Sequence, residues 1–312
     1  MFGTKVDTTT DIFGHFQNHL QKLSDEHKYG NRECYSASLN ALKKVWKKKE
    51  LHFQQITPEF LNKFENELLK DGKSLNTVSI YLRCAKKLYN DAIEQGVVTK
   101  KFYPFGKSKY TVPKSQGKKR PLSKDELKLI FEYQTKPETN EDFAKDLFIF
   151  SYLCNGMNVT DILNLKRSSV ETDRFHFIRE KTKTTTKTNQ KQIEVALHPE
   201  AKRIILKYSE PNGTYVFPTL NGLETDLERR NRVKLTTKTS NKYLKRIAQA
   251  VGIEKEVTTY FARHTFANVM LNTGASKEFL QESLGHASTK TTQEYLSGFD
   301  FDIKKQMTER LL

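Results

Sequence analysis

The chain of 312 residues has few cysteines, few prolines, a shortage of acidic side chains and no long apolar run. Cys34, Cys84 and Cys154 lie too far apart for a C-x-x-C metal motif or a disulfide framework. Each falls in an apolar helical pattern, and they are expected to be buried thiols of a cytosolic protein. No stretch approaches the roughly 18 consecutive apolar residues of a membrane-spanning helix, and Met1-Phe2-Gly3-Thr4-Lys5-Val6-Asp7 has no apolar signal-peptide core. A soluble, intracellular protein is expected. His176, His198, His264 and His286 include no close ligand pair, which argues against a metal hydrolase.

The deficit of acids is the first positive clue. With 37 Asp and Glu against 53 Lys and Arg, the formal charge is +16. Such a charge favours a polyanionic partner, because each phosphate that is neutralised releases condensed counterions. The length suggests about two domains.

The first hundred residues carry four helical patterns. Ile12, Phe13, Phe16, Leu20 and Leu23 form one apolar stripe, and Tyr35, Leu39, Leu42, Val45 and Trp46 a second. Thr57-Pro58 reads as an N-cap and first-turn proline ahead of Phe60, Leu61, Phe64 and Leu68. The clearest helix runs from about Asn76 to Gln95, with Val78, Tyr81, Leu82, Ala85, Leu88, Tyr89, Ala92 and Ile93 inward and Gly96 ending it. Lys43, Lys44, Lys47, Lys48 and Lys49, then Arg83, Lys86 and Lys87, put cations on the solvent faces.

From Phe105 to Pro121 the pattern collapses into Gly, Ser, Pro and basic residues, ending in Lys118-Lys119-Arg120, and reads as an extended interdomain linker. A basic linker crossing a DNA backbone would let two domains close as a clamp. Ser123-Lys124-Asp125-Glu126 has the form of a capping box. A long apolar helix from about Asp142 stops at Asn155-Gly156, and a short one restarts over Val159 to Leu165. Phe175–Lys181 and Gln192–Leu197 are the best strand candidates, joined by a Thr/Lys-rich loop as a basic hairpin. His198-Pro199-Glu200 opens another helix, and Asn241 to Val251 is one more.

The most informative residues come last: Tyr260-Phe261-Ala262-Arg263-His264-Thr265-Phe266-Ala267, then Leu284-Gly285-His286, then Thr291-Thr292-Gln293-Glu294-Tyr295-Leu296. An arginine, a histidine and a tyrosine in this order suit phosphate chemistry on DNA, since a planar guanidinium matches two non-bridging oxygens. The spacing resembles that of the tyrosine recombinases, the phage integrase family, over roughly residues 120 to 300, with a weaker match upstream.

That resemblance implies a mainly α fold with a small β-sheet: a helical, SAM-like core-binding domain over 1–104, a basic linker over 105–121, and a mixed α/β catalytic domain with a C-terminal tail over 122–312. It implies site-specific recombination through a 3′-phosphotyrosyl link and a free 5′-hydroxyl, with neither ATP nor metal required. Tyr295 takes the nucleophile's place, Arg263 that of the arginine of H-x-x-R, and His286 that of the late histidine that donates to a non-bridging oxygen. Lys181 resembles the hairpin lysine that protonates the leaving 5′-oxygen, with Lys183 as its rival. DNA contacts are expected from Lys43, Lys47, Arg83, Lys86, Lys118, Lys119, Arg120 and Lys183. The implied partners are duplex DNA with inverted-repeat core sites, further copies of the chain as a dimer per site and a tetrameric synapse, and accessory DNA-bending proteins. The implied location is the cytoplasm, on the nucleoid and not a membrane. No room is seen for the extra N-terminal arm-binding domain that integrases of mobile elements often carry.

Two positions break the family pattern. Asn158 stands where the first family arginine belongs, three residues before Asp161, and Tyr260 replaces the histidine of H-x-x-R. Asn158 cannot supply a cation. Strand residues two apart share a face, so Arg179 is expected to project on the same side as Lys181 and to replace the missing first arginine. Phe175 and Phe177 have the same parity, so the strand must change from core-covering to site-lining or contain a bulge. Arg167 and Arg174 are the next candidates. The departures also motivate a second reading, a recombinase-derived DNA-binding protein with little catalysis; a type IB topoisomerase is a third. After Tyr295, Phe299, Phe301, Ile303, Met307 and Leu311 give an amphipathic tail that packs either on its own domain or on a neighbouring protomer.

Overall fold

A computed structural model describes residues 10–114, 121–183, 191–286 and 289–293, with 296, 305, 308 and 309 beyond them. The chain divides into two compact units, Met1–Gly117 and Lys118–Leu312.

Unit 1 is helical: α1 (Ile12–Asp25), α2 (Tyr29–Trp46), α3 (Pro58–Lys70) and α4 (Leu75–Glu94). Its helix starts are set by local chemistry. Thr57 accepts from the Phe60 N–H with Pro58 in the first turn, and Ser74 accepts from Thr77. Asp11 accepts from Phe13 and Gly14 and also from Leu51, 40 positions on, which ties the start of α1 to the segment before α3. The apolar stripes meet in one core that includes Phe16, Phe53, Phe64, Leu82 and Tyr89.

Two expectations change here. Phe105 and Tyr110 are buried in this core and paired by an isolated bridge, so the segment from Phe105 to about Val112 belongs to unit 1 and the connection begins later. Two buried aromatic rings outweigh the loop-like composition around them. Cys34 is exposed, while Cys84 and Cys154 are buried as expected.

Unit 2 contains α5 (Lys124–Glu132), α6 (Asn140–Leu153), α7 (Val159–Leu163), β1 (Arg174–Phe177), α8 (Glu180–Lys183), β2 (Ile193–Ala196), α9 (Pro199–Tyr208), α10 (Asp226–Ala250), α11 (Thr259–Asn272), α12 (Lys277–Ser283) and α13 (Thr289–Gln293). The capping box at Ser123 and Glu126 is formed. Helix α6 runs through the middle with α9, α10 and α11 packed against it, which explains why its apolar residues have no single-sided stripe. Asp142 and Asp146 on α6 are both met by the Lys207 ammonium at 2.6 Å, fastening α9 to it. No helix among the described residues is long and apolar enough to cross a membrane.

The two strands pair antiparallel from Arg174↔Ala196 to Phe177↔Ile193. The first is shorter than expected, because after Phe177 the chain turns into the helical turn of α8. Helix α10 is much longer than the expected Asn241–Val251 segment and begins with a capping box at Thr225 and Glu228. Its first half has few apolar residues, so a periodicity reading cannot see it.

Candidate active site

Three turns bring the site together. The first follows α6, where Asn155 and Gly156 both have left-handed backbones, with φ 55° and 63°. A Cβ at Gly156 would lie 2.8 Å from the Arg263 Cα, so glycine is what lets this turn touch α11. Arg263, 3% exposed, donates to the Gly156 carbonyl at 2.9 Å, to the Leu284 carbonyl, and towards the His286 Nε2 at 3.1 Å.

The second turn follows α12. Gly285, at φ 60°, presents its carbonyl to Arg179 at 2.9 Å, and a Cβ there would lie 2.7 Å from the Arg179 Cδ. His286 follows at 6% exposure, with Nδ1 3.0 Å from the hydroxyl of Thr292 on α13, itself 1% exposed. A guanidinium has only donors, so Nε2 accepts from Arg263 and the ring proton sits on Nδ1, facing Thr292. Burial, with the charges of Arg263, Arg179 and Lys181, pushes the His286 pKa down to about 3, so the ring is neutral at ordinary pH.

The third turn links β1 to α8 and delivers Arg179, 8% exposed, to the same place. The Asp161 carboxylate accepts from the Glu180 N–H at 2.8 Å and anchors that turn to α7. Burial raises the Asp161 pKa, while the Glu180 N–H and the charges of Arg179 and Arg263 oppose the rise. Among the described residues the Arg179 Nε has no hydrogen-bond partner. Two guanidinium groups, one carboxylate and one neutral imidazole thus share a buried site whose hydrogen bonds run largely to backbone carbonyls.

The remaining candidates fall around it. Asn158 is half-buried at the N-cap of α7, without a side-chain cap hydrogen bond. Tyr260 is 38% exposed, one turn before Arg263, with its ring edge-on to His264 at 4.9 Å. Lys181 is exposed on α8, close enough to act on His286, whereas Lys183 pairs with Glu180 at 3.1 Å. Neither lysine lies on the strand, so the parity argument for Arg179 does not apply and its difficulty disappears; the turn after β1 does the aiming. Arg167 is engaged with the Glu210 and Pro211 carbonyls, and Arg174 with Asp173 and Glu194. Tyr295, Lys118, Lys119, Arg120 and the apolar tail residues lie outside the described residues.

In unit 1, Lys43 and Lys47 are exposed at the end of α2, with the Lys43 ammonium over the Phe13 ring at 5.6 Å. Arg83 is exposed on α4, and Lys86 there lies over the Phe105 ring at 5.5 Å. Sequence reasoning missed the outer face of α10. Val233, Ser240, Leu244, Ile247 and Ala248 are buried, leaving Lys234, Lys238, Lys242, Lys245 and Arg246 exposed along the opposite side. The four-residue spacing of Lys234, Lys238 and Lys242 was the available signal.

The profile of the Phage integrase family matches residues 120–300, and that of the Phage integrase SAM-like domain matches residues 11–112. The chain belongs to the phage integrase family. It is 29% identical to tyrosine recombinase XerC of Leptospira interrogans over 299 residues, covering 93% of this chain and 89% of that protein. It is 30% identical to XerA of Pyrococcus horikoshii over 235 residues, or 75% and 73% of the two chains. The match to XerD of Rickettsia prowazekii is 29% over 200 residues and spans 61% of that relative.

Among solved structures, the Tn1549 transposon integrase in complex with a circular intermediate DNA superimposes with TM-score 0.66 at 15% identity, covering 97% of this chain and all of that one. A lambda integrase tetramer bound to a Holliday junction gives 0.67 at 17% identity, covering 95% of this chain and 80% of that one. These two share the fold. The expected mainly helical architecture, with a SAM-like domain and a catalytic domain, is therefore present, and the activity is that of a tyrosine recombinase. Neither the weakly catalytic DNA-binding protein nor the topoisomerase is favoured.

Proposed function

We propose that the chain exchanges DNA strands between two duplex sites through esters on Tyr295, with Arg179 replacing the cation that Asn158 cannot provide. The observation that carries this reading is the burial of Arg179 and Arg263 near His286, each held by a carbonyl of a glycine-bearing turn. Their N–H groups now meet backbone oxygens and an imidazole. A phosphate oxygen is a stronger acceptor for the same donors.

The Tyr295 hydroxyl gives up its proton to solvent as its oxygen attacks the phosphorus, the bond to the 5′-oxygen breaks, and the leaving oxygen takes a proton from Lys181, which solvent then reprotonates. The energy of the phosphodiester is kept in the 3′-phosphotyrosyl ester, and attack by a 5′-hydroxyl from the other duplex reverses the step. Arg263 and Arg179 stabilise the charge that builds on the non-bridging oxygens. An arriving phosphate offsets both cations near His286 and raises its proton affinity, so the ring can become a donor in the bound state. Tyr260 donates a further hydrogen bond at the rim.

Lys238 and Lys242 on α10, and within unit 1 Lys43, Lys47, Arg83 and Lys86, meet the DNA backbone. The basic run Lys118-Lys119-Arg120 adds further charge for the DNA backbone. The sites are inverted repeats, each taking two copies of the chain, and two sites pair in a tetramer with help from DNA-bending proteins on the nucleoid. The lambda integrase bound to a core site as a dimer, with TM-score 0.66, supports that stoichiometry by its fold. The test uses two labelled duplexes of different length, each carrying the repeats flanking the gene. Joint molecules of the summed arm lengths are expected; relaxation of supercoils without any joint product would defeat the reading.

A further inference from the structure

Thr292 has no part in the scheme above, yet it is 1% exposed and its hydroxyl touches the one neutral member of the site. It lies on α13, three residues ahead of Tyr295, whereas His286 lies in the turn after α12. The three groups form a line from Thr292 through the imidazole to Arg263, with separations of 3.0 and 3.1 Å. His286 is also fixed through its backbone, since its N–H donates to the Gln281 carbonyl at 3.0 Å. The ring therefore has a set position, and its Nδ1 proton faces the Thr292 hydroxyl.

We infer that Thr292 is a positioning residue that fixes the tautomer of His286, holding the proton on Nδ1 so that Nε2 keeps its lone pair towards Arg263. The second half of the line requires it. An Nε2–H would point a donor at the guanidinium donors of Arg263, and the Nδ1–H of the other form is a buried donor for which the Thr292 hydroxyl is the acceptor at 3.0 Å. A hydroxyl is suited to this place because it can accept from Nδ1–H, whereas a methyl group of the same size cannot. The contact also makes the tautomer depend on α13 being docked, so the histidine is set for work only when the segment leading to Tyr295 is in place. This inference rests on the recombinase reading for its catalytic consequence, but not for the tautomer itself.

The test uses the full chain with Thr292→Val, which keeps the shape and removes the hydroxyl, and Thr292→Ser, which keeps the hydroxyl. Nitrogen-15 labelling of histidine reports the tautomer, with the His286 signals identified by their loss in His286→Asn. The wild type and Thr292→Ser should show the Nδ1–H form, and Thr292→Val a mixture or the Nε2–H form. Covalent adduct formation on a nicked suicide duplex should slow about three- to tenfold in Thr292→Val, the loss of one neutral hydrogen bond, and Thr292→Ser should restore it. DNA affinity should not change. An unaltered Nδ1–H spectrum in Thr292→Val would overturn the inference, as would a rate equal to wild type despite an altered spectrum. A shifted tautomer with no adduct from any variant, wild type included, would leave the tautomer control standing and defeat the recombinase reading.

Discussion

Replacing Arg179 by alanine tests the least conventional part of this site. In the structure its guanidinium donates to the Gly285 carbonyl at 2.9 Å, lies within reach of the Asp161 charge and is 8% exposed. If it binds a non-bridging oxygen in the transition state, its removal costs one charge-assisted hydrogen bond, about 1.5–3 kcal/mol. That corresponds to a roughly ten- to two-hundredfold slower cleavage. A second effect must be separated from this one: the buried Asp161 loses one of its two compensating cations. Arg179→Ala alone should therefore also be less stable, and adding Asp161→Asn should recover stability without recovering cleavage. The assay is single-turnover formation of the covalent adduct on a suicide duplex at saturating protein, with DNA affinity measured by mobility shift. Cleavage at the wild-type rate in Arg179→Ala, with Arg263→Ala inactive under the same conditions, would refute the replacement. Because Arg167 and Arg174 are engaged elsewhere, no other candidate named from the sequence would then remain.

Three further outcomes are expected. Gly285→Ala forces an L residue into φ 60° and places a Cβ 2.7 Å from the Arg179 Cδ, so it should lower stability by about 1–3 kcal/mol and slow the adduct towards the Arg179→Ala rate; thermal melting and trapping check both. His286 has a folded pKa near 3, below its unfolded value of about 6.5, so the unfolded chain takes up the extra proton first and stability should fall as the pH drops through that interval. On the order of 1 kcal/mol should be lost between pH 6.5 and 5.5 in urea titrations, with His286→Asn losing less and the contribution flat above pH 7. Lys238→Gln with Lys242→Gln should reduce the slope of log affinity against log salt by roughly 0.9 per lost phosphate contact, leaving adduct formation at saturating protein near wild type.

Much of this fold could be read from short local signals. The caps at Thr57 and Ser123 and the stripe of α4 are written in adjacent residues, so they survive folding unchanged. Arg263 and His286 were legible because their neighbours form motifs with fixed spacing. What escaped depends on distant contacts. Phe105 and Tyr110 sit in a loop-like sequence and are claimed by the core of unit 1, and the first half of α10 is helical because of its cap and its packing, with little apolar patterning to announce it. Arg179 was assigned to the site by strand parity. It reaches the site because β1 ends at Phe177 and the following turn is anchored on Asp161, a contact between residues 19 positions apart. Gly156 and Gly285 were visible as turn formers, but their closeness to the two arginines exists only in three dimensions.

The central claim is phosphotyrosyl chemistry at a site lacking the first family arginine. Its most direct test is covalent trapping: the protein is incubated with nicked suicide duplexes drawn from the DNA flanking its gene, denatured in detergent, and inspected for a shifted protein–DNA band. The account predicts an adduct from the wild type that disappears in Tyr295→Phe while DNA binding persists. Tight binding of those duplexes without any adduct, or an adduct that survives Tyr295→Phe, would contradict it.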